Sequence, residues 1–115
     1  MATPIVFFDI AGEDDVALRQ FYDTVFGWSF DADSKSEAPV VGPLHFAIRK
    51  DPTEKRLYMG GPDVAATLEA ISAAGGTVEQ PRMEVPGVVV LGLFRDPAGN
   101  PMGLVEMDGE RPRVP

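Results

Sequence analysis

Apolar positions in the first part of the chain predict a strand followed by a helix. Residues 5–10 are rich in β-branched and aromatic side chains and end before Gly12, which is typical of a buried strand. Asp14 then stands where a helix N-terminus favours an acidic cap. Apolar residues follow at helical spacing, namely Leu18, Phe21, Tyr22 and Val25. Gly27 is expected to end this helix, because a residue without Cβ adopts the left-handed conformation readily.

The same pattern returns further along the chain. Residues 56–59 predict a strand, Asp63 an N-cap and Gly75-Gly76 the end of a helix. The apolar positions between them are Val64, Leu68 and Ile71. An offset of 49 residues superimposes Asp14 on Asp63 and Gly27 on Gly76. This spacing predicts two copies of one strand–helix module.

Short strands are predicted after each helix. They are residues 28–30, 39–41 and 44–49 in the first half, and 77–80, 85–95 and 101–107 in the second. Residues 96–100 carry proline, glycine and asparagine in positions that favour a tight hairpin. Residues 34–43 have the least pattern and are expected to form a loop. The predicted class is therefore α+β, with a βαβββ module written twice and helices on one face of mixed sheets.

Composition narrows the possible functions. The chain has 115 residues, of which 44% are hydrophobic and 24% charged, as in one soluble globular domain. Eighteen acidic against ten basic residues give a net charge of −8, which argues against nucleic acid or an anionic membrane as a partner. The absence of cysteine excludes disulfides and thiolate chemistry. With no targeting signal at the N-terminus, a cytoplasmic location is expected.

A series of short motifs resembles the vicinal oxygen chelate superfamily, which includes glyoxalase I, bleomycin-resistance proteins and extradiol dioxygenases. The motifs are Asp14, Phe21-Tyr22, Phe26-Gly27-Trp28, Asp63 with Gly75-Gly76, Val85-Pro86-Gly87, and Asp96-Pro97-Ala98-Gly99-Asn100 with Gly103. The resemblance covers nearly the whole chain as a single domain over residues 1–115. It implies paired modules, about 1–52 and 53–108, that curl into a mixed sheet with a cleft, commonly in a homodimer. Residues 109–115 are expected to form a C-terminal arm.

The resemblance also bears on metal binding, because members of the superfamily usually hold a divalent ion. It places the first ligand of each module at Phe7 and Arg56, and the terminal glutamate at Gly103. A phenyl ring, a guanidinium and a hydrogen atom do not coordinate a divalent ion. The fourth position, within residues 44–49, cannot be aligned. We therefore expect no metal at the usual place, no other cofactor, and no catalytic residue of the family's metal chemistry.

Five residues are predicted to contact a small organic ligand. His45 is the only histidine, and imidazole is a side chain that commonly serves as a base or as a polar contact to a ligand. Arg56 carries a planar donor suited to a carboxylate or phosphate. Phe7, Trp28 and Tyr58 would supply apolar walls, as small-molecule sites require. Each has a purely structural alternative: an edge-strand histidine, an exposed arginine or a core aromatic.

The sequence thus favours a metal-free protein of this superfamily that binds a small organic ligand in the sheet cleft, resembling bleomycin-resistance or glyoxalase-like proteins. The acidic charge would suit a cationic ligand. One alternative is a metal-dependent lyase, isomerase or dioxygenase of the glyoxalase type with displaced ligands at His45 and Glu106. Strand alternation argues against Glu106, because it faces away from Gly103 and is expected to be solvated or salt-bridged. A dimeric interaction module without a small ligand is the other alternative.

Overall fold

The chain folds into eight strands and two helices within the residues that the structure describes. The computed structural model describes residues 2–26, 28–30, 35–38 and 44–115. The elements are β1 (Ile5–Gly12), α1 (Asp15–Phe26), β2 (Lys35–Ala38), β3 (Leu44–Lys50), β4 (Glu54–Gly61), α2 (Val64–Ala73), β5 (Thr77–Val85), β6 (Val89–Arg95), β7 (Pro101–Asp108) and β8 (Arg111–Pro112). This order confirms the predicted α+β class.

Two compact units make up the chain. The N-terminal unit is Phe7–Arg56, and the C-terminal unit combines Met1–Val6 with Leu57–Pro115. This division runs through two strands. Ile5 and Val6 of β1 belong to the C-terminal unit, and residues 54–56 of β4 belong to the N-terminal unit. The predicted boundary between the two strand–helix modules, near residue 52, is not tested by this division into units and stays a prediction.

In the N-terminal unit, β3 lies between a parallel neighbour, β1, and an antiparallel neighbour, β2. One face of this sheet packs against α1 through the buried side chains of Phe46 and Ile48. The partly buried residues around them are Phe8, Ile10, Leu18, Trp28 and Phe30. Because side chains alternate along a strand, Phe7 and Asp9 face away from this cluster.

In the C-terminal unit, the strand order is β4-β7-β6-β5, with β4 parallel to β7 and the other pairs antiparallel. The helix α2 packs on one face of this sheet. The buried core there comprises Val64, Leu68, Phe94 and Leu104. A Cβ on Gly92 would lie 2.9 Å from side-chain atoms of both Leu68 and Val64, so glycine allows the helix to approach the sheet. By alternation, Tyr58 and Gly103 lie on the opposite face.

The predicted helix caps are confirmed. Oδ1 of Asp14 accepts a hydrogen bond from the backbone N–H of Ala17 at 3.0 Å, and Oδ1 of Asp63 accepts one from Ala66 at 2.9 Å. Each bond satisfies a backbone donor that the first turn of a helix leaves free. Gly75, just beyond α2, has φ +97°, the left-handed conformation expected at a helix end. Gly27 lies outside the described residues.

The predicted hairpin between β6 and β7 is also confirmed. Oδ1 of Asp96 accepts from the backbone N–H groups of Ala98 and Asn100, at 3.0 and 2.9 Å. Oδ2 of Asp96 accepts from Nδ2 of Asn100 at 2.8 Å, and this bond is the main reason that the pKa of Asp96 is lowered. Gly99 takes φ +93° in the turn. Local side-chain chemistry therefore fixes this connection.

Several predicted boundaries were wrong. Residues 28–30 form no strand, because Trp28 and Phe30 pack on Phe46 instead of pairing. The predicted strand over 85–95 is broken after Val85 by a turn in which Gly87 has φ +73°. The predicted loop over 34–43 contains the strand β2, and residues 39–41 lie outside the described part of the chain. The arm predicted over residues 109–115 is not one of these errors, and it contains the extended strand β8, which pairs with the end of β7.

The apolar stripe of α1 is only partly buried. Leu18 packs in the N-terminal core, but Phe21 and Val25 are 51% and 57% exposed. The helical period determines which residues share a side of the helix, but not how much of that side the neighbouring sheet covers. The side chain of Tyr22 lies outside the described residues.

Candidate functional site

The structure brings two predicted site residues together on β1 and β3. Phe7 and His45 are partners in the parallel register of these strands. Phe7 is half-buried and His45 is exposed. Both lie on the face of the N-terminal sheet that points away from α1, as alternation from Phe8 and Phe46 requires. This face therefore presents an aromatic ring beside an accessible imidazole, which can both donate and accept hydrogen bonds.

An ion-pair network lies on the same face. Nε of Arg49 is 3.0 Å from Oδ2 of Asp9, whose side chain is almost fully buried, and Nη1 is 2.9 Å from Oδ2 of Asp51. Arg49 also pairs closely with Glu54. Burial opposes the charged form of Arg49, but the hydrogen bonds to these three carboxylates outweigh it and raise its pKa. Arg49 is thus a permanent cation that holds three acidic groups in place.

Arg56 belongs to this network. It is 5% exposed, and its Nη2 lies 3.5 Å from Oε1 of Glu54. The sequence offered two interpretations, an anion-binding arginine or an exposed strand residue. The second is wrong, because Arg56 is buried and paired with Glu54, and the first stays a prediction. The sequence did contain a signal for this ion-pair network, namely Asp9 in an otherwise apolar strand. A carboxylate buried there needs a compensating partner, which Arg49 on β3 supplies.

Trp28 packs in the core beside α1. Its ring centroid lies 5.1 Å from that of Phe46 and 6.3 Å from that of Phe8, both in edge-on geometry. Phe8 and Phe46 in turn stack with centroids 5.0 Å apart. Phe7 points to the other face of β1, so the structure does not place Trp28 on the face that carries Phe7 and His45.

Tyr58 covers the position at which the resemblance places the terminal metal ligand. Tyr58 and Gly103 are register partners on β4 and β7, and Tyr58 is 8% exposed. A Cβ built on Gly103 would lie only 2.4 Å from Cδ2 and Cε2 of the Tyr58 ring. Any side chain at position 103 therefore requires the ring to move. The aromatic ring occupies the space that a carboxylate would need.

Glu106 is fully engaged on the other face of β7. Its Oε1 accepts from the backbone N–H of Val64 at 3.2 Å and from Nε of Arg82 at 3.0 Å. Its Oε2 accepts from Nη2 of Arg82 at 2.7 Å and from Nη1 of Arg113 at 3.4 Å. The hydrogen bonds from Arg82 lower its pKa to about 2, although burial acts in the opposite direction. The salt-bridged state predicted for Glu106 is confirmed, but the carboxylate is 3% exposed and not solvated.

The residues at the superfamily's metal positions do not fit a metal. Phe7, Arg56 and Gly103 offer no donor atom for a divalent ion. Elsewhere in the described ranges, no group of three or more histidine, aspartate or glutamate side chains is arranged to hold one. Three carboxylates do surround Arg49, but a guanidinium occupies their centre.

The strand–helix repeat, with a parallel strand pair in each module, agrees with the fold implied by the resemblance to the vicinal oxygen chelate superfamily. Within it, the chain belongs to the glyoxalase-like domain family, whose model matches residues 6–105. No curated protein matches the sequence. No helix in the described residues is long and apolar enough to cross a membrane.

Solved structures support the fold at low sequence identity. A methylmalonyl-CoA epimerase in complex with methylmalonyl-CoA and NH4+ is 16% identical, with a TM-score of 0.66 over 98% of this chain and 100% of that one. A variant of the Streptomyces coelicolor methylmalonyl-CoA epimerase, in complex with 2-nitronate-propionyl-CoA, is 16% identical, with a TM-score of 0.65 over 95% and 100%. The NAD-dependent benzaldehyde dehydrogenase structure from Legionella pneumophila is 10% identical, with a TM-score of 0.65 over 89% and 98%. At these identities the likeness concerns the fold alone.

Proposed function

We propose that this glyoxalase-like domain binds a small organic molecule on its sheet surface, without a metal at the superfamily's usual positions. The observation that carries this proposal is the ring of Tyr58 over Gly103. Where the resemblance places a carboxylate ligand, this chain has a glycine covered by a buried aromatic ring. This packing leaves no room for a carboxylate at that position, which supports a function without the usual metal.

His45 and Phe7 are the residues we expect to contact the ligand in the N-terminal unit. A small-molecule site needs apolar walls and a few well-placed polar groups, and this pair supplies one of each. The Arg49 network beside them is tied together by its own ion pairs, which supports a rigid floor more than a direct ligand contact. Arg56 would then act by positioning Glu54, and Trp28 by packing.

The alternative of a metal enzyme with displaced ligands requires Glu106 as a donor. Both oxygens of Glu106 already accept hydrogen bonds from Arg82, Arg113 and the first turn of α2. Freeing them would leave two arginines and a helix N-terminus without their acceptor. This competition makes the metal-free proposal the better supported one.

A homodimeric interaction module is the second candidate, and one observation favours it. Phe21 and Val25 lie near each other on α1 and are each more than half exposed. Exposed apolar side chains that lie side by side are typical of a surface that binds a protein partner. Light scattering at micromolar concentration tests this: we expect a dimer that Phe21→Ser dissociates, and a wild-type monomer would contradict it.

Metal analysis and ligand screening test the proposed function. Protein purified without chelator should contain less than stoichiometric divalent metal, and thermal-shift screening of small acids and amines should find ligands. His45→Ala should weaken the binding of at least one of these ligands about tenfold, the usual loss for a hydrogen bond left unmade, whereas the exposed control Glu69→Gln should not. A stoichiometric divalent ion that supports turnover, or a screen in which His45→Ala weakens no ligand, would contradict the proposal.

A further inference from the structure

A groove in the C-terminal unit is lined by residues that the proposed function does not use. It has a volume of about 480 Å³, within the range of small-molecule sites. Its lining residues are Pro4, Val6, Gly60, Gly61, Pro62, Met107, Gly109 and Glu110. It uses none of Phe7, His45 and Tyr58, so it goes beyond the proposed function.

Glycines shape the floor of this groove. A Cβ on Gly60 would lie 2.7 Å from Cγ of Met107 and 2.9 Å from Cγ1 of Val6, so these two side chains pack directly on the backbone. At Gly61 the nearest atom to a Cβ is in Thr3, 3.9 Å away, so the space above that residue is open. The floor is therefore apolar and closely packed on one side, and accessible on the other.

The wall of the groove is the turn between β7 and β8. Gly109 takes φ +68° in this turn, and β8 pairs with the end of β7 through Met107 and Asp108. The arm is fixed further on, where the backbone N–H of Arg113 donates to the carbonyl of Glu106 at 2.9 Å. The N–H of Gly87 also donates to the carbonyl of Pro115 at 3.0 Å. Backbone hydrogen bonds therefore fix the chain on both sides of the turn that carries Glu110.

Glu110 is the single charged residue among those that line the groove. Within the part of the chain that the structure describes, its carboxylate makes no hydrogen bond or salt bridge. A carboxylate at the rim of an apolar groove complements a ligand that has an apolar body and one positive charge. A lone carboxylate is a poor site for a divalent metal, which needs several oxygen ligands.

We propose that this groove binds a small organic amine, with the ammonium group at Glu110 and the apolar body against Val6, Pro62 and Met107. The ammonium donates hydrogen bonds to the carboxylate, and the apolar body removes hydrocarbon surface from water. A neutral ligand of the same shape keeps the second interaction and loses the first. A carboxylic acid of the same shape adds repulsion.

A titration with three matched probes tests the proposal. Benzylamine, benzyl alcohol and benzoate share one ring but differ in charge, and their binding is followed by the amide signals of Gly60, Gly61 and Gly109 in NMR spectra. Benzylamine should bind about tenfold tighter than benzyl alcohol, the ratio expected for one charge-assisted hydrogen bond, and benzoate should bind weakest. Added salt should reduce the binding of the amine alone.

Three variants locate the effect. Glu110→Gln should remove the preference for benzylamine, whereas Glu13→Gln removes an equal charge from an exposed site near α1 and should not. Gly61→Val should block all three probes, because the space above that residue is open and the side chain would fill the groove. Equal effects of the two glutamine substitutions, no preference among the probes, or no shift at the groove amides would overturn the proposal.

Discussion

Replacing Glu106 by Gln would remove a charge that three parts of the C-terminal unit share. The carboxylate is 3% exposed and ties β5, α2 and the C-terminal arm to β7, through Arg82, the backbone N–H of Val64, and Arg113. Glutamine has nearly the same shape but keeps one acceptor oxygen and turns an N–H₂ group towards an arginine. The substitution therefore tests the charge and not the packing.

The expected loss follows from the pKa of Glu106. That pKa falls from 4.5 to about 2 in the folded protein. At about 1.4 kcal/mol for each pKa unit, the charged form contributes about 3 kcal/mol to the free energy of unfolding. Arg82 and Arg113 are 33% and 46% exposed and regain water when the carboxylate is lost. We therefore expect a loss of about 2–3 kcal/mol at pH 7, below the ~3–5 kcal/mol for breaking a fully buried pair.

The sign of the pH dependence is fixed by the direction of the shift. Because the pKa of Glu106 is lower in the folded state, its contribution is complete above about pH 4.5 and disappears as the pH falls towards 2. The difference in stability between wild type and Glu106→Gln should be constant from pH 6 to pH 8. It should shrink steadily from about pH 4.5 downwards, within the range in which the fold persists.

Urea unfolding followed by circular dichroism measures these free energies. Glu84→Gln is the matched control, because Glu84 contacts the same Arg82 at 3.5 Å but is 56% exposed. Its loss should stay below about 0.5 kcal/mol, as for most surface ion pairs. A loss for Glu106→Gln as small as the control's, or a difference from wild type that does not change between pH 6 and pH 3, would refute the reasoning.

Substitutions at Gly103, Asp9 and Asp63 test other parts of the fold. Gly103→Ala should destabilise by about 1–3 kcal/mol in urea unfolding, because its Cβ meets the Tyr58 ring at 2.4 Å, and adding Tyr58→Ala should remove this clash term in a double-mutant cycle. Asp9→Asn should cost about 2–4 kcal/mol, since it leaves Arg49 without its most buried partner; a loss under 1 kcal/mol would contradict this. Asp63→Ala should lower stability by about 1 kcal/mol through the lost cap, and Asp63→Asn should restore most of it.

The features that could be predicted from sequence are those that depend on a few neighbouring residues. The caps at Asp14 and Asp63 each use one side chain and a backbone N–H three residues away. The turn at Asp96 is likewise closed by bonds that span two to four residues. Such contacts form whatever the rest of the chain does, so local chemistry is enough to predict them.

Burial could not be predicted in the same way, because it depends on what the distant chain supplies. Phe21 and Leu18 share one stripe of α1, yet only Leu18 packs in the core cluster. Alternation correctly placed Glu106 on the face away from Gly103. It did not reveal that the first turn of α2 and two arginines would enclose the carboxylate there. The periodicity of the sequence predicts which way a side chain faces, but its burial also requires a distant segment of the chain that covers it.

Arg56 illustrates the same limit at the candidate site. The resemblance gave its position in the module, and chemistry gave its ability to bind anions. Its guanidinium pairs with Glu54, two residues before it, and through Glu54 it is linked to Arg49 and to the buried Asp9. Removing one charged side chain from such a network leaves another charge without its partner. We expect Arg56 to contribute to ligand binding only by holding Glu54. Arg56→Lys should therefore leave ligand affinity unchanged when the lysine keeps the ion pair with Glu54.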